Sequence, residues 1–288
     1  MEDLRSIDLH AHTCCSDGSL SPTELVQLAA ERGLVALAVT DHDTVAGVAE
    51  ALAAGERYGV EVIPGIELST MEEGYDVHMV GLFVDPENPG LQEALAEIVR
   101  RRIQRNERMV DRLIGLGLPI SREDVAAQGG GVLTRGNLAQ ILVEHGAAPS
   151  VREAMNRYLV KGRPGYEPKV APTPAEAAEI LHRAGGLAFV AHFHQIDRGD
   201  LVHSAEIARS ILRAGADGLE TRYSEFTPEM QGMAEEIAEE FGCLRSGGSD
   251  FHGKLKPGLE LGTGYEDLRV PYSYLQAMKE HRAAALHA

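Results

Sequence analysis

Short apolar runs with strand-like period alternate along the chain with longer stretches of helical period. SIDLHAHT, VALAVTDHD, EVIPGIELS, DVHMVGLFV, GLAFVAHFH, DGLETRY and CLRSGGSDFH predict strands. Helical patterns follow most of them, among them Pro22 to Gly33 and Thr44 to Tyr58. Alternation of this kind predicts parallel strands wrapped by helices, and seven such strands predict a closed or distorted α/β barrel.

The segment between DVHMVGLFV and GLAFVAHFH is far longer than an ordinary crossover and must hold structure of its own. From Leu91 to about Tyr166 it is helical and charged, interrupted by Gly115, Gly117, Pro119 and the run Gly129, Gly130, Gly131. The expected organisation is a barrel in two parts, 1–90 and 167–288, with a small helical insertion domain at 91–166. No repeat or low-complexity tract interrupts this pattern.

Composition narrows the class. With 288 residues, 44% of them hydrophobic and 25% charged, the chain is long enough for a sizeable core plus an inserted domain. No stretch approaches the roughly 20 apolar residues of a membrane span, so no membrane partner is expected, and no obligate protein partner is evident. Cys14, Cys15 and Cys243 cannot form the paired framework of a secreted protein, which points to a cytoplasmic location. A net charge of -17 opposes broad binding to long nucleic acid and leaves room for a small anionic substrate.

The chemistry gathers at strand ends. His10 and His12 are one residue apart, which in a strand puts both imidazoles on one face as a chelating pair. Asp17 follows in the next turn, and His42, Glu67, His78, His192, Asp250 and His252 lie at or near the ends of further predicted strands. In a parallel barrel those ends open onto one face, where active sites sit. This many nitrogen and oxygen donors exceed one tetrahedral zinc and suit two or three divalent ions sharing a carboxylate; Mn, Fe, Zn and Mg all fit the donor set. The remaining histidines, His145, His182, His194, His203, His281 and His287, fall mostly in helices or tails.

The motifs DLHAHT with SDG, TDHD, PGIE, VHMVG, AH and GSDFH resemble, in order and type, those of the PHP (polymerase and histidinol phosphatase) family over nearly the whole chain. LTRGNLAQILVEHG and YLVKGRPGYEP place it nearest the subgroup containing ribonuclease AM and the nucleoside 3',5'-bisphosphate phosphatases. The resemblance implies a distorted (β/α)7 barrel of the PHP type and a trinuclear site. One ion would be held by His10, His12, Glu67 and Asp250, a second by Glu67, His78 and His192, and a third by Asp17, His42 and His252, with Glu67 as the bridge. It departs at one place: relatives continue AHP with glycine and arginine, whereas this chain reads AHFHQIDR, which shifts attention to His194 and Arg198 as substrate contacts and to His194 as a proton donor.

Arg135 is the candidate phosphate fork, because a guanidinium pairs two phosphate oxygens at once and the resemblance gives its position that role. Lys161, Arg163 and Tyr166, with Lys169 beyond them, are further candidate contacts, balanced against ordinary surface charge. Glu220 and Tyr223 end a strand on the site's face as candidate supports. Arg101, Arg105 and Arg108 would share one helical face, either meeting an oligonucleotide or paired with acids such as Glu97 and Glu107.

The expected activity is hydrolysis of a phosphomonoester on a small nucleotide, such as a nucleoside 3',5'-bisphosphate, with a metal-bridging hydroxide as nucleophile. A 5'-3' exonuclease on short RNA or DNA oligonucleotides keeps the same site. A histidinol-phosphate phosphatase, an amide or ester hydrolase, and a noncatalytic metal-binding accessory domain are the remaining alternatives.

Overall fold

The computed structural model describes residues 5–126 and 135–285. Its strands are β1 (Ser6–Asp8), β2 (Ala36–Val39), β3 (Glu61–Glu72), β4 (Tyr75–Leu82), β5 (Leu187–Val190), β6 (Gly218–Tyr223), β7 (Leu244–Gly248) and β8 (Val270–Pro271). Its helices are α1 (Pro22–Glu31), α2 (Val48–Tyr58), α3 (Pro89–Gly115), α4 (Arg122–Ala126), α5 (Arg135–Glu144), α6 (Val151–Ala154), α7 (Pro174–Arg183), α8 (Leu201–Arg213), α9 (Pro228–Phe241) and α10 (Tyr272–Ala285). Residues 1–94 with 172–288 form one compact unit, and 95–171 form a second.

Local chemistry starts the helices. Ser21 and Glu24 form a reciprocal capping box on α1 with Pro22 in its first turn, and Thr173, Glu176 and Pro174 do the same for α7. The helix expected from Thr44 begins instead at Val48, since Thr44 turns its hydroxyl onto the Ala46 amide rather than entering the first turn.

The strands form one sheet in the order β7-β6-β5-β4-β3-β2-β1-β8. The sheet is an almost closed barrel, but its strands are not all parallel as the alternating pattern predicted. β4 runs antiparallel to both β3 and β5. No helix separates β3 from β4; Glu73 and Gly74, at φ 50° and 86°, make a two-residue hairpin turn. The short β8, which the pattern did not predict, adds antiparallel to β1.

Closure occurs between β1 and β7. β1 is only three residues long, yet the chain stays extended past it: Leu9 N donates to Gly247 O, Asp250 N to His10 O and His12 N to Phe251 O at 2.8–3.0 Å. A Cβ on Gly248 would stand 2.4 Å from His10 N, so glycine is required for this approach. The seam therefore carries His10, His12, Asp250 and His252 side by side.

Alternation sorts the barrel's apolar residues into two clusters. Along β2, Ala36 and Ala38 join Ile7, Leu9, Val80, Leu82 and Phe189, while Leu37 and Val39 pack with Leu25 and Ala29 of α1 and Ala51 of α2. The second unit has its own core, in which Met109, Val110 and Leu113 of α3 meet Leu138, Ile141 and Leu142 of α5. Among the described residues, no helix is long and apolar enough to cross a membrane.

Candidate metal centre

Strand register decides which side chains meet. β3 ends its parallel run beside β2 near Glu67, which pairs with His42 in an isolated parallel bridge, and β4 places Ser69 opposite His78. Because β4 is reversed, His78 reaches the same rim from the first half of its strand rather than from its end.

Glu67 is buried with imidazoles on both carboxylate oxygens. Its Oε1 accepts from His78 Nδ1 and His192 Nε2, each at 2.9 Å. Its Oε2 lies 3.0 Å from His42 Nδ1, 3.2 Å from His12 Nε2 and 3.3 Å from His10 Nε2. Asp250 Oδ1 adds to the same cluster, 3.2 Å from His12 Nε2 and 3.6 Å from His10 Nε2. On the outer side, Asp17 Oδ1 is 3.2 Å from His252 Nε2, and its Oδ2 is 3.8 Å from His42 Nε2.

Three groups of donors with metal-binding geometry stand out among the described residues: His10, His12, Glu67 and Asp250; His12, Asp17, His42 and His252; and His42, Glu67 and His78. Within each, one donor atom per residue lies within 4.8 Å of the others. His10 Nε2, both His12 ring nitrogens, His42 Nδ1 and Glu67 Oε2 are buried without a hydrogen-bond partner among the described residues. Buried polar atoms left unpaired are costly. Here they converge on common points, and cations bound there would satisfy them.

A second ring of groups fixes how these donors point. His10 Nδ1 donates to Glu220 Oε1 at 2.8 Å, which aims Nε2 at Glu67 and Asp250. His252 Nδ1 donates to the Asp250 carbonyl at 2.8 Å, which likewise frees Nε2 toward Asp17. Tyr223 Oη donates to Asp250 Oδ2 at 2.6 Å, and Lys256 Nζ contacts the same oxygen. Glu220 and Tyr223 are three residues apart and would face opposite sides of a regular strand. A bulge between Glu220 and Arg222 shifts the register and turns both toward the centre.

Several supports escaped the sequence reading. Asp8 accepts from His10 N, Ser249 N, Ser249 Oγ and Gly262 N and so ties the β1–β7 seam together. Asp41 accepts from Thr13 N, Thr13 Oγ1 and Ser16 Oγ, which shapes the loop that carries Asp17. Their only sequence signal was an acid beside each histidine motif. His192 and Asp250 hold φ of 23° and 56°, conformations that non-glycine residues adopt at a cost and that cluster at functional sites.

Without cations the histidines and acids polarise one another. Burial pushes Glu67 up, but His42, His10 and His78 outweigh it and hold the carboxyl well below its usual range. Asp250 is lowered in the same way by His10 and His12. Burial opposes charge on His12, yet Asp250 and Glu67 raise it to about 9, and His10 rises well above its ordinary value against the same opposition. His78 goes the other way, to about 4, because burial dominates the pull of Glu67.

Other sequence candidates are not among these donors. His194 sits in a short turn after β5, its ring against Tyr223 and Phe226 and its Nε2 3.4 Å from Glu225. Burial and the adjacent His192 lower its pKa, a poor setting for the expected proton donor at neutral pH. Arg198 is exposed and donates to Gln195. Arg135, Lys161, Arg163, Tyr166 and Lys169 belong to the second unit: Arg135 opens α5, Lys161 and Arg163 are exposed, and Tyr166 and Lys169 are partly buried. In that unit Arg100 and Arg101 pair with Glu97, while Arg108 and Arg112 pair with Glu167, whose carbonyl accepts from Arg105. The basic run is thus largely compensated, with Glu167 as an acid partner the sequence reading did not name. Gly129, Gly130, Gly131 and His287 lie outside the described residues.

Comparison with known proteins follows the same lines. The PHP domain family matches residues 8–161. The chain is 37% identical to the 5'-3' exoribonuclease Rnm of Escherichia coli over 88% of its own length and 87% of the relative's. It is 33% identical to the 3',5'-nucleoside bisphosphate phosphatase of Chromobacterium violaceum, covering 90% of this chain and 91% of that one. A solved structure of an amidohydrolase from Chromobacterium violaceum, with sulfate bound and no metal, superposes with a TM-score of 0.78 at 33% identity, covering 95% and 96% of the two chains.

Proposed function

This chain belongs to the PHP domain family, and from that premise we propose that it removes a phosphate from a small nucleotide, a nucleoside 3',5'-bisphosphate being the substrate that fits best. It is a metal-dependent phosphoesterase. The observation that carries the proposal is the convergence of unpaired buried donors from His10, His12, His42 and Glu67 on shared points. Two or three divalent ions match that donor set, and the absence of thiolates from it leaves Mn, Fe, Zn and Mg as the candidates.

Bound divalent cations acidify water and neutralise the charge of a phosphate, which are the two requirements of phosphoester hydrolysis. The chain's residues prepare that chemistry. Glu220 holds His10 in the tautomer with Nε2 inward, and the Asp250 carbonyl does so for His252. Glu67 offers one oxygen to the His78 and His192 side and the other to the His10, His12 and His42 side, the arrangement of a bridge. Arg135 remains the proposed phosphate fork on its chemistry.

A second reading, a 5'-3' exonuclease on short oligonucleotides, is favoured by the identity to exoribonuclease Rnm. Compensation of the α3 arginines by Glu97 and Glu167 weighs toward the smaller substrate. Phosphate release and mononucleotide release from metal-loaded protein, compared for adenosine 3',5'-bisphosphate, mononucleotides, histidinol phosphate and short oligomers, test the two. Preference for the bisphosphate supports the first reading; processive mononucleotide release with no phosphate release overturns it.

A further inference from the structure

Asp250 uses its two oxygens differently. Oδ1 faces His10 and His12, while Oδ2 accepts from Tyr223 Oη and contacts Lys256 Nζ. Tyr223 is buried, 3% exposed, whereas the Lys256 side chain is 27% exposed. An ammonium carries three donors. One is committed to Asp250 Oδ2, so the rest of its donor capacity can serve an anion that reaches the centre from solvent.

Lys256 also lines a groove of about 630 Å³ between α1 and the segment that follows β7. The volume falls in the range of pockets that hold drug-sized ligands. Its walls suit a nucleoside. Leu20, Leu28, Phe251 and Leu259 supply apolar surface, and Gln27 at the edge is held by Glu31 and Tyr58. The three acids along it are already engaged, Glu24 in the α1 capping box, Glu31 with Gln27 and Glu260 with Arg32, so the groove is less hostile to a nucleotide than its acid count suggests. Gly253 at φ 66° lets the segment lie against Ser19, whose Oγ accepts from Lys254 N, and this pins the groove beside the centre.

We propose that Lys256 is a phosphate-binding residue of this site and that the adjoining groove receives the nucleoside attached to that phosphate. The inference rests on the phosphoesterase reading above and adds the direction in which the substrate lies. A positive charge at Asp250 Oδ2 serves two partners at once, steadying the carboxylate and meeting the incoming phosphate.

The test measures binding to metal-loaded protein by calorimetry, with inorganic phosphate and adenosine 5'-monophosphate as probes, for the wild type, Lys256→Met, Lys256→Arg and Leu28→Trp. Lys256→Met should weaken phosphate binding about 10-fold or more, the scale of one lost charge-assisted hydrogen bond, with metal content unchanged. Lys256→Arg should recover part of that loss. Leu28→Trp should weaken the monophosphate alone by filling the groove. Unchanged phosphate affinity in Lys256→Met, or a loss of metal that accounts for the whole effect, overturns the assignment of Lys256. An equal effect of Leu28→Trp on both probes, or none, overturns the groove. Because the readout is binding, a wild type that binds phosphate through Lys256 but hydrolyses no nucleotide would sink the proposed function and leave this inference standing.

Discussion

His12 Nε2 and Glu67 Oε2 lie 3.2 Å apart at the centre of the barrel rim, both buried and both without a hydrogen-bond partner among the described residues. A protonated histidine could hold such a carboxylate by charge alone. Four further imidazoles around the same carboxylate make that arrangement a ligand set rather than a salt bridge. Glu67→Gln keeps the shape but replaces one oxygen with an amide that cannot ligate. Its metal content, read by elemental analysis, should fall below that of the wild type, and activity should fall by more than the roughly 10–100-fold typical of supporting residues. Unchanged circular dichroism would show that the fold survives.

Among the described residues, Glu220 meets the centre through His10 Nδ1 and the His192 amide. Glu220→Gln should therefore cost about 10–100-fold in metal affinity or activity, as losses of a histidine's orienting carboxylate do. Competition against a chelator of known affinity measures it. A variant indistinguishable from the wild type would remove Glu220 from the account.

Metal uptake should release protons. In the metal-free protein His12 titrates at about 9 and His10 well above its ordinary value, so both carry protons at pH 7 that a cation must displace. Metal affinity should rise with pH toward about 9 and level off beyond. The same raised values stabilise the metal-free fold below about pH 6.5, and this stability is lost as pH climbs through the folded-state value. Binding enthalpies in buffers of different ionisation enthalpy should differ; identical enthalpies would contradict the expectation.

Gly248→Ala should destabilise the protein by about 1–3 kcal/mol or more, because its Cβ would meet His10 N at 2.4 Å and His10 Cβ at 2.5 Å across the barrel seam. Thermal unfolding with and without metal reads this. Gly232→Ala, within α9 and with open space around the added Cβ, is the control expected to leave the melting temperature near that of the wild type.

Much of the centre was legible because metal donors must be histidines or acids and strand ends collect them. Period two paired His10 with His12, and the recurrence of the same residue types at later strand ends supplied the rest. The reversal of β4 was hidden: EEGYD reads as a break between strands, and only the positive φ of Glu73 and Gly74 turns it into a hairpin. His78 was found for the right face but the wrong strand direction. Glu220 and Tyr223 share that face through a bulge that no periodicity announces, since strict alternation would separate them. Lys256 was invisible because one lysine in a polar loop carries no pattern; its meaning comes from Asp250, whose second oxygen it contacts.

Phosphate release from adenosine 3',5'-bisphosphate, followed as metal is removed by chelation and then restored by stepwise titration, tests the account most directly. The prediction is that release disappears with the metal, returns on reloading and saturates at two or three equivalents, with Glu67→Gln failing to recover. Release that persists at full rate in metal-free protein would contradict it, as would fully reloaded protein that frees no phosphate from any phosphoester offered.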